Sequence, residues 1–120
     1  MDLKLLFVRI RNWADLNELQ PVILPGSIPE ALRHIEQAVP RLPGWRVESS
    51  DPVQGTMHLT RTTRLFKFVD DIRLKLEPVE SGGTRLKGRS QSRVGLSDFG
   101  QNRRNLRELI TELERGKRWL

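Results

Sequence analysis

The sequence predicts an α+β domain: an antiparallel sheet of four or five strands with two main helices packed on one face. Three observations carry this expectation. Two segments place apolar residues at helical spacing between capping residues. Four segments between them are strand-like, alternating or rich in β-formers. The turns joining those four are short, which favours neighbours running antiparallel under helices on one side. The 120 residues fit a single domain, 1–120. Its core is expected over about residues 20–115, with residues 1–20 as an N-terminal strand or arm.

Taken in order, Leu3 through Ile10 reads as a strand or packed arm. Val22-Ile23-Leu24-Pro25-Gly26 reads as an extended linker ending in a turn. Ser27 then opens a helix, with Glu30 three residues on at the capping-box spacing. Ile28, Ala31, Leu32, Ile35, Ala38 and Val39 form its apolar stripe, and Pro40 and Pro43-Gly44 end it. Trp45 to Glu48 alternates, and Asp51-Pro52 and Gly55 mark a turn. Thr56 to Phe66 is β-prone, with Met57 and Leu59 on one face. Ile72 to Leu76 alternates strictly, Glu80 to Gly83 is turn chemistry, and Thr84 to Ser90 alternates again. The last helix is capped by Ser97 or Asp98. It buries Phe99, Leu106, Leu109, Ile110 and Leu113 and ends at Gly116. Asp98 at its start and Arg115, Lys117 and Arg118 at its end suit the helix dipole.

Composition excludes several function classes. The chain has no cysteine, so disulfides, thiolate metal sites and cysteine nucleophiles are ruled out. No stretch approaches the ~20 apolar residues of a membrane span. The opening segment is too short and charged for a secretory signal. The cytoplasm is the default expectation, with an upstream targeting segment left open. Net charge is +6, and the basic excess lies wholly in residues 61–120. Such a bias suits either a solvated surface or an acidic partner.

The pair of strands around residues 69–91 is the most informative. Placing Leu76 opposite Thr84 sets Leu74 opposite Leu86, Asp71 opposite Arg89 and Asp70 opposite Ser90. One face then gathers Arg73, Lys75, Arg85, Lys87, Arg89 and Arg93. On the other face Asp70 points inward beside Ser90 and Ser92, where a carboxylate needs a partner. Arg61 shares that parity and is the expected partner.

Two stretches carry a resemblance. One is Arg64-Leu65-Phe66-Lys67-Phe68-Val69-Asp70-Asp71. The other runs from Arg89-Ser90-Gln91-Ser92-Arg93-Val94-Gly95 through Ser97-Asp98-Phe99-Gly100-Gln101-Asn102-Arg103. Together they resemble the domain-of-unknown-function family numbered 1499, over about residues 20–115. The resemblance implies a bacterial and plastid domain with no established activity. Its motif falls on Phe68, Asp70, Asp71, Arg89, Ser90, Ser92, Arg93, Gly95, Ser97, Asp98, Gly100, Asn102 and Arg103. An upstream Asn-Cys-Val-Ser-like segment of many members is missing here.

Four chemistries compete for these residues. Gly95-Leu96-Ser97 sits between strand and helix like a nucleophile elbow, but Phe99 replaces the second glycine. His34 and His58 both read as surface residues, so no base is at hand. Asp70, Asp71, Asp98 and Asn102 are oxygen ligands, yet adjacent strand carboxylates point to opposite faces and arginines compete for them. Nucleic acid remains an alternative through the basic sheet face, although no aromatic platform interleaves with the cations. Arg89, Arg93 and Arg103 suit bidentate capture of a carboxylate or phosphate. The expected site is therefore a ligand-binding one: Asp70, Arg89, Ser92, Arg93, Asp98, Asn102 and Arg103. The expected role is a non-enzymatic module for an anionic small molecule or an acidic protein, with no cofactor, metal or catalytic residue assigned. A small enzyme using Asp70 or Ser97 is the alternative.

Overall fold

The computed structural model describes residues 12–93 and 100–117. It contains β1 (Trp13–Asp15), β2 (Val22–Leu24), α1 (Ile28–Ala38), β3 (Trp45–Asp51), β4 (Thr56–Thr62), β5 (Val69–Pro78), β6 (Thr84–Ser92) and α2 (Gln101–Lys117). The fold is α+β with an antiparallel sheet of six strands, not four or five. The order is β1-β6-β5-β4-β3, and β2 also pairs with β6. The extra strand arises because one edge position is filled twice. β1 pairs with Arg89–Gln91 and β2 with Thr84–Leu86, and a 3-10 turn at Leu16–Glu18 lies between them in sequence. Val22 to Leu24 is thus a strand rather than a linker. The strand or arm expected over Leu3 to Ile10 lies outside the described residues.

The helix cap forms as the spacing requires. Ser27 Oγ accepts the Glu30 amide at 3.3 Å and donates to Glu30 Oε1 at 3.0 Å. The stripe of α1 buries Ala31, Leu32, Ile35 and Ala38 against the sheet and α2. The sheet returns Met57, Leu59, Ile72, Leu74, Leu76 and Leu86 to the same side, and α2 adds Leu106, Leu109, Ile110 and Leu113. Leu59, Ile72, Leu106, Leu109 and Leu113 are fully buried. Each such side chain contributes roughly 1.5–3 kcal/mol of burial, so this apolar layer is what orders the domain.

The β5–β6 hairpin is real, but its register differs by two residues from the expected one. Leu76 lies opposite Leu86, Leu74 opposite Gly88, Ile72 opposite Ser90, Asp71 opposite Gln91 and Asp70 opposite Ser92. A shift of two preserves which face each side chain takes. The buried and exposed faces are therefore as expected, while every cross-strand partner differs. The ladder runs on to Pro78 and Thr84, closed by Val79 N–H donating to the Gly83 carbonyl at 2.9 Å.

Three more expectations are corrected. β4 stops at Thr62, and Thr63 to Phe68 form a loop instead of strand. Gly116 lies inside α2, not past its end. A Cβ there would sit 2.6 Å from His34 Cε1, so glycine makes room for that ring. His34 is accordingly half-buried, with Nε2 at 3.1 Å from the Leu113 carbonyl. The caps Ser97 and Asp98, the apolar Phe99 and the terminal Arg118 lie outside the described residues. No helix among the described residues is long and apolar enough to cross a membrane.

Candidate functional site

The inward polar residues form a closed network between β5, β6 and the first turns of α2. Asp70, Ser90, Asn102 and Asn105 are each 3% exposed or less. Asn105 Nδ2 donates to Asp70 Oδ2 at 2.7 Å and to Ser90 Oγ at 3.2 Å. Gln101 Nε2 donates to Asn105 Oδ1 at 2.7 Å. Ser90 Oγ donates to Asn102 Oδ1 at 2.6 Å. Asn102 Nδ2 in turn donates to the Asn12 carbonyl at 2.7 Å and to Ser92 Oγ at 2.9 Å. Polar groups buried this deeply need such partners, and here they also fix the helix on the sheet.

Asp70 is inward and satisfied, but not by the expected arginine. Arg61 stands opposite Asp70 in the β4–β5 ladder, yet it pairs with Glu108, at 3.6 Å from Nε to Oε2. The long guanidinium side chain passes the sheet and reaches the second turn of α2. The short carboxylate meets Asn105, three residues sooner along α2. Glu108 is further fixed by Trp45 Nε1, which donates to Oε1 at 3.0 Å.

The opposite face of the sheet is open to solvent and basic. Arg73 lies directly opposite Arg89, and Lys75 opposite Lys87. Two of the expected ligand-clamping arginines are already engaged. Arg89 grips Asp15 through two bonds of 2.8 and 3.0 Å and lies 4.2 Å over the Trp13 ring. Arg93 grips Asp71 at 2.9 and 3.0 Å, and His58 Nε2 meets the same carboxylate at 2.7 Å. His58 is therefore a partly covered member of a cluster, not a free surface histidine. Lys87 pairs with Glu77 at 3.2 Å, and Lys75 donates to the Gln54 carbonyl at 2.5 Å. Arg73 and Arg85 have no carboxylate partner among the described residues.

The structure thus divides the expected site three ways. Asp70, Ser92 and Asn102 join the interior network. Arg89 and Arg93 lie on the outer sheet face. Arg103 is exposed on α2, beside a shallow depression of about 590 Å³ shared with Leu19, Gln20 and Arg107. Asp98 and Ser97 lie outside the described residues. Among the described residues no three His, Asp or Glu side chains converge as metal ligands. Asn105 is the network member that the sequence reading missed. Its signal was present: Asn102 and Asn105 stand four residues before Leu106 and Leu109, on the buried stripe.

The Asp71 cluster makes stability pH-dependent. The Arg93 hydrogen bonds hold the Asp71 carboxyl down to about 2, against an ordinary 3.8; partial burial opposes this and His58 adds to it. A depressed carboxyl stabilises the fold above its unfolded value and loses that contribution as pH falls through the folded one. Arg93 is half in solvent, so screening keeps the effect small. Asp71→Asn is therefore expected to unfold more easily than wild type at neutral pH. In urea titrations that gap closes as pH falls from about 4 toward 2. A constant gap across this range would remove the ion pair from the account.

A family model described as "Protein of unknown function (DUF1499)" matches residues 8–113. The match begins well before residue 20, so it takes in β1 and β2. No curated protein matches the chain.

Proposed function

From the premise that this chain belongs to the DUF1499 family, we propose that it is a non-enzymatic interaction module that recognises an acidic protein surface through the outer face of its sheet. One observation carries the reading. On the two central strands, cations stand directly across from cations, Arg73 from Arg89 and Lys75 from Lys87. Such pairs cost tenths of a kcal/mol each; Asp15 and Glu77 offset part of that at Arg89 and Lys87, and an acidic partner relieves the rest. Arg73, Lys75, Arg85 and Lys87 are the binding cations. Arg89 and Arg93, held by Asp15 and Asp71, shape the border. An exposed sheet face suits an extended acidic surface better than a small anion, which needs a concave pocket. The catalytic alternative through Asp70 finds little support: Asp70 is 3% exposed and its Oδ2 is taken by Asn105.

The test is anisotropy of a fluorescein-labelled poly-glutamate peptide. Wild type is expected to bind with an affinity that falls as salt rises. Lys75→Glu/Lys87→Glu is expected to weaken it more than about tenfold. Arg33→Glu/Arg107→Glu carries the same change in net charge on exposed helix positions. It should weaken binding far less. Equal losses in the two double variants would reduce the effect to net charge and sink the assigned face. Tighter binding of an oligo-deoxythymidine than of the peptide would move the assignment to nucleic acid. That outcome is disfavoured here because Arg89 already covers the Trp13 ring.

A further inference from the structure

The β4–β5 loop displays apolar side chains in a way the core does not require. Leu65 is 80% exposed, Phe66 68% and Phe68 49%. They stand together at one end of the sheet. Val53, the other large apolar residue in solvent, is at the opposite end, on the β3–β4 hairpin. Isolated exposed apolar residues need no explanation, but a cluster at a tip does.

The loop is built to hold this display. Thr63 closes it with three bonds. Its N–H donates to the Phe68 carbonyl at 2.8 Å, its carbonyl accepts Lys67 N–H at 3.1 Å, and its Oγ1 accepts Phe68 N–H at 2.9 Å. The Phe66 and Phe68 rings stack at 5.5 Å with 20° between their planes. Between them Lys67 takes φ of 56°, the left-handed region that a residue with a side chain adopts only at a cost. Of the described residues other than glycine, only Lys67 has a positive φ. Both rings stand on the solvent side of this turn.

Charge points to the occupant. Thr63 to Val69 carries Arg64 and Lys67 and no carboxylate. The next carboxylates are withdrawn: Asp70 is buried, and Asp71 is held by Arg93 and His58. The tip sets leucine and phenylalanine between two cations, all of them in solvent. It suits a deformable anionic surface that admits rings at headgroup depth while cations meet the lipid phosphates and carboxylates.

We propose that this loop is a peripheral membrane anchor: Leu65, Phe66 and Phe68 insert into the interface of an anionic bilayer, with Arg64 and Lys67 on its headgroups. This site is separate from the basic sheet face. Arg73 and Lys75 lie roughly 13 and 20 Å up the strand from Val69, too far to share the contact.

The chain has no cysteine, so single cysteines can carry an environment-sensitive fluorophore. Leu65→Cys and Val53→Cys, each labelled, are mixed with vesicles of phosphatidylcholine and phosphatidylserine in a three-to-one ratio. The label at 65 is expected to shift to the blue and brighten, and that at 53 to stay unchanged. In co-sedimentation of unlabelled protein, Leu65→Ser/Phe66→Ser should reduce the bound fraction more than about tenfold. Both side chains are exposed, so its melting temperature should match wild type. Arg64→Glu or Lys67→Glu should weaken binding about fivefold each. Lys75→Glu/Lys87→Glu should leave it unchanged, which separates this site from the proposed acidic-protein face. Wild type remaining in the supernatant, or equal responses at 53 and 65, overturns the proposal. So does a concentration-dependent dimer abolished by Leu65→Ser/Phe66→Ser, which would make the loop a protein contact.

Discussion

Asn102→Leu is expected to lower the unfolding free energy by about 3 kcal/mol, read as a fall in the urea midpoint without a change in slope. Leucine nearly conserves the volume, so the effect isolates the polar bonds. Among the described residues three groups lose a partner at once. The Ser90 hydroxyl loses the Oδ1 it donates to, the Asn12 carbonyl loses its Nδ2 donor, and Ser92 Oγ loses the same donor. Ser90 is 0% exposed, so bulk water does not reach it to replace the missing acceptor. A buried group stranded in this way costs about 1–3 kcal/mol, while the half-buried Ser92 costs less. Arg103→Ala, one residue on and exposed, should stay within about 0.5 kcal/mol of wild type. Equal midpoints for the two variants would mean that the network is not what fixes α2 to the sheet.

The same network shows what the residues disclose in one dimension and what they do not. Side-chain alternation assigned Ile72, Leu74, Leu76 and Leu86 to the core, and all four are buried there. It also turned Asp70 and Ser90 inward. Periodicity of two is blind to a slip of two, however. The hairpin register came out wrong in its pairings while right in its faces. The charged partners were lost with it. Asp71 was set against Arg89, whereas Arg89 is held by Asp15 and Asp71 by Arg93. Asp15 could not have been foreseen as a partner, because a three-residue strand has no period to detect. The same holds for Val22 to Leu24, which read as a linker between prolines. Their strand character exists only because the edge of β6 is there to be paired. The exposed rings of Phe66 and Phe68 were hidden by β propensity, which extended β4 past its true end at Thr62. Asn105 is legible in the sequence: a polar residue on an apolar helical stripe is itself a sign of a buried network.

Gly44→Ala is the other substitution expected to have a large effect, and pairing it with Gly82→Ala separates two costs that are usually confounded. Both glycines have φ in the left-handed region, 83° and 94°. Giving either a side chain costs about 1 kcal/mol from that conformation alone. At Gly82 a Cβ would meet nothing within 4 Å, so the conformational cost is the whole effect. At Gly44 the Cβ would sit 2.5 Å from the backbone oxygen of Thr62. The Gly44 carbonyl also accepts the Thr62 amide at 2.9 Å, so the two segments cannot separate without losing that bond. Backbone displaced in this way adds about 2 kcal/mol, for a total near 3 kcal/mol. The displacement falls on the last residue of β4, next to the Thr63 bonds that close the aromatic loop. Amide exchange at Thr63, Lys67 and Phe68 should therefore quicken in Gly44→Ala and stay unchanged in Gly82→Ala. Urea titration of the two variants decides the matter: if Gly44→Ala loses no more than Gly82→Ala, the close approach to Thr62 does not constrain the fold, and the loop does not depend on it for its shape.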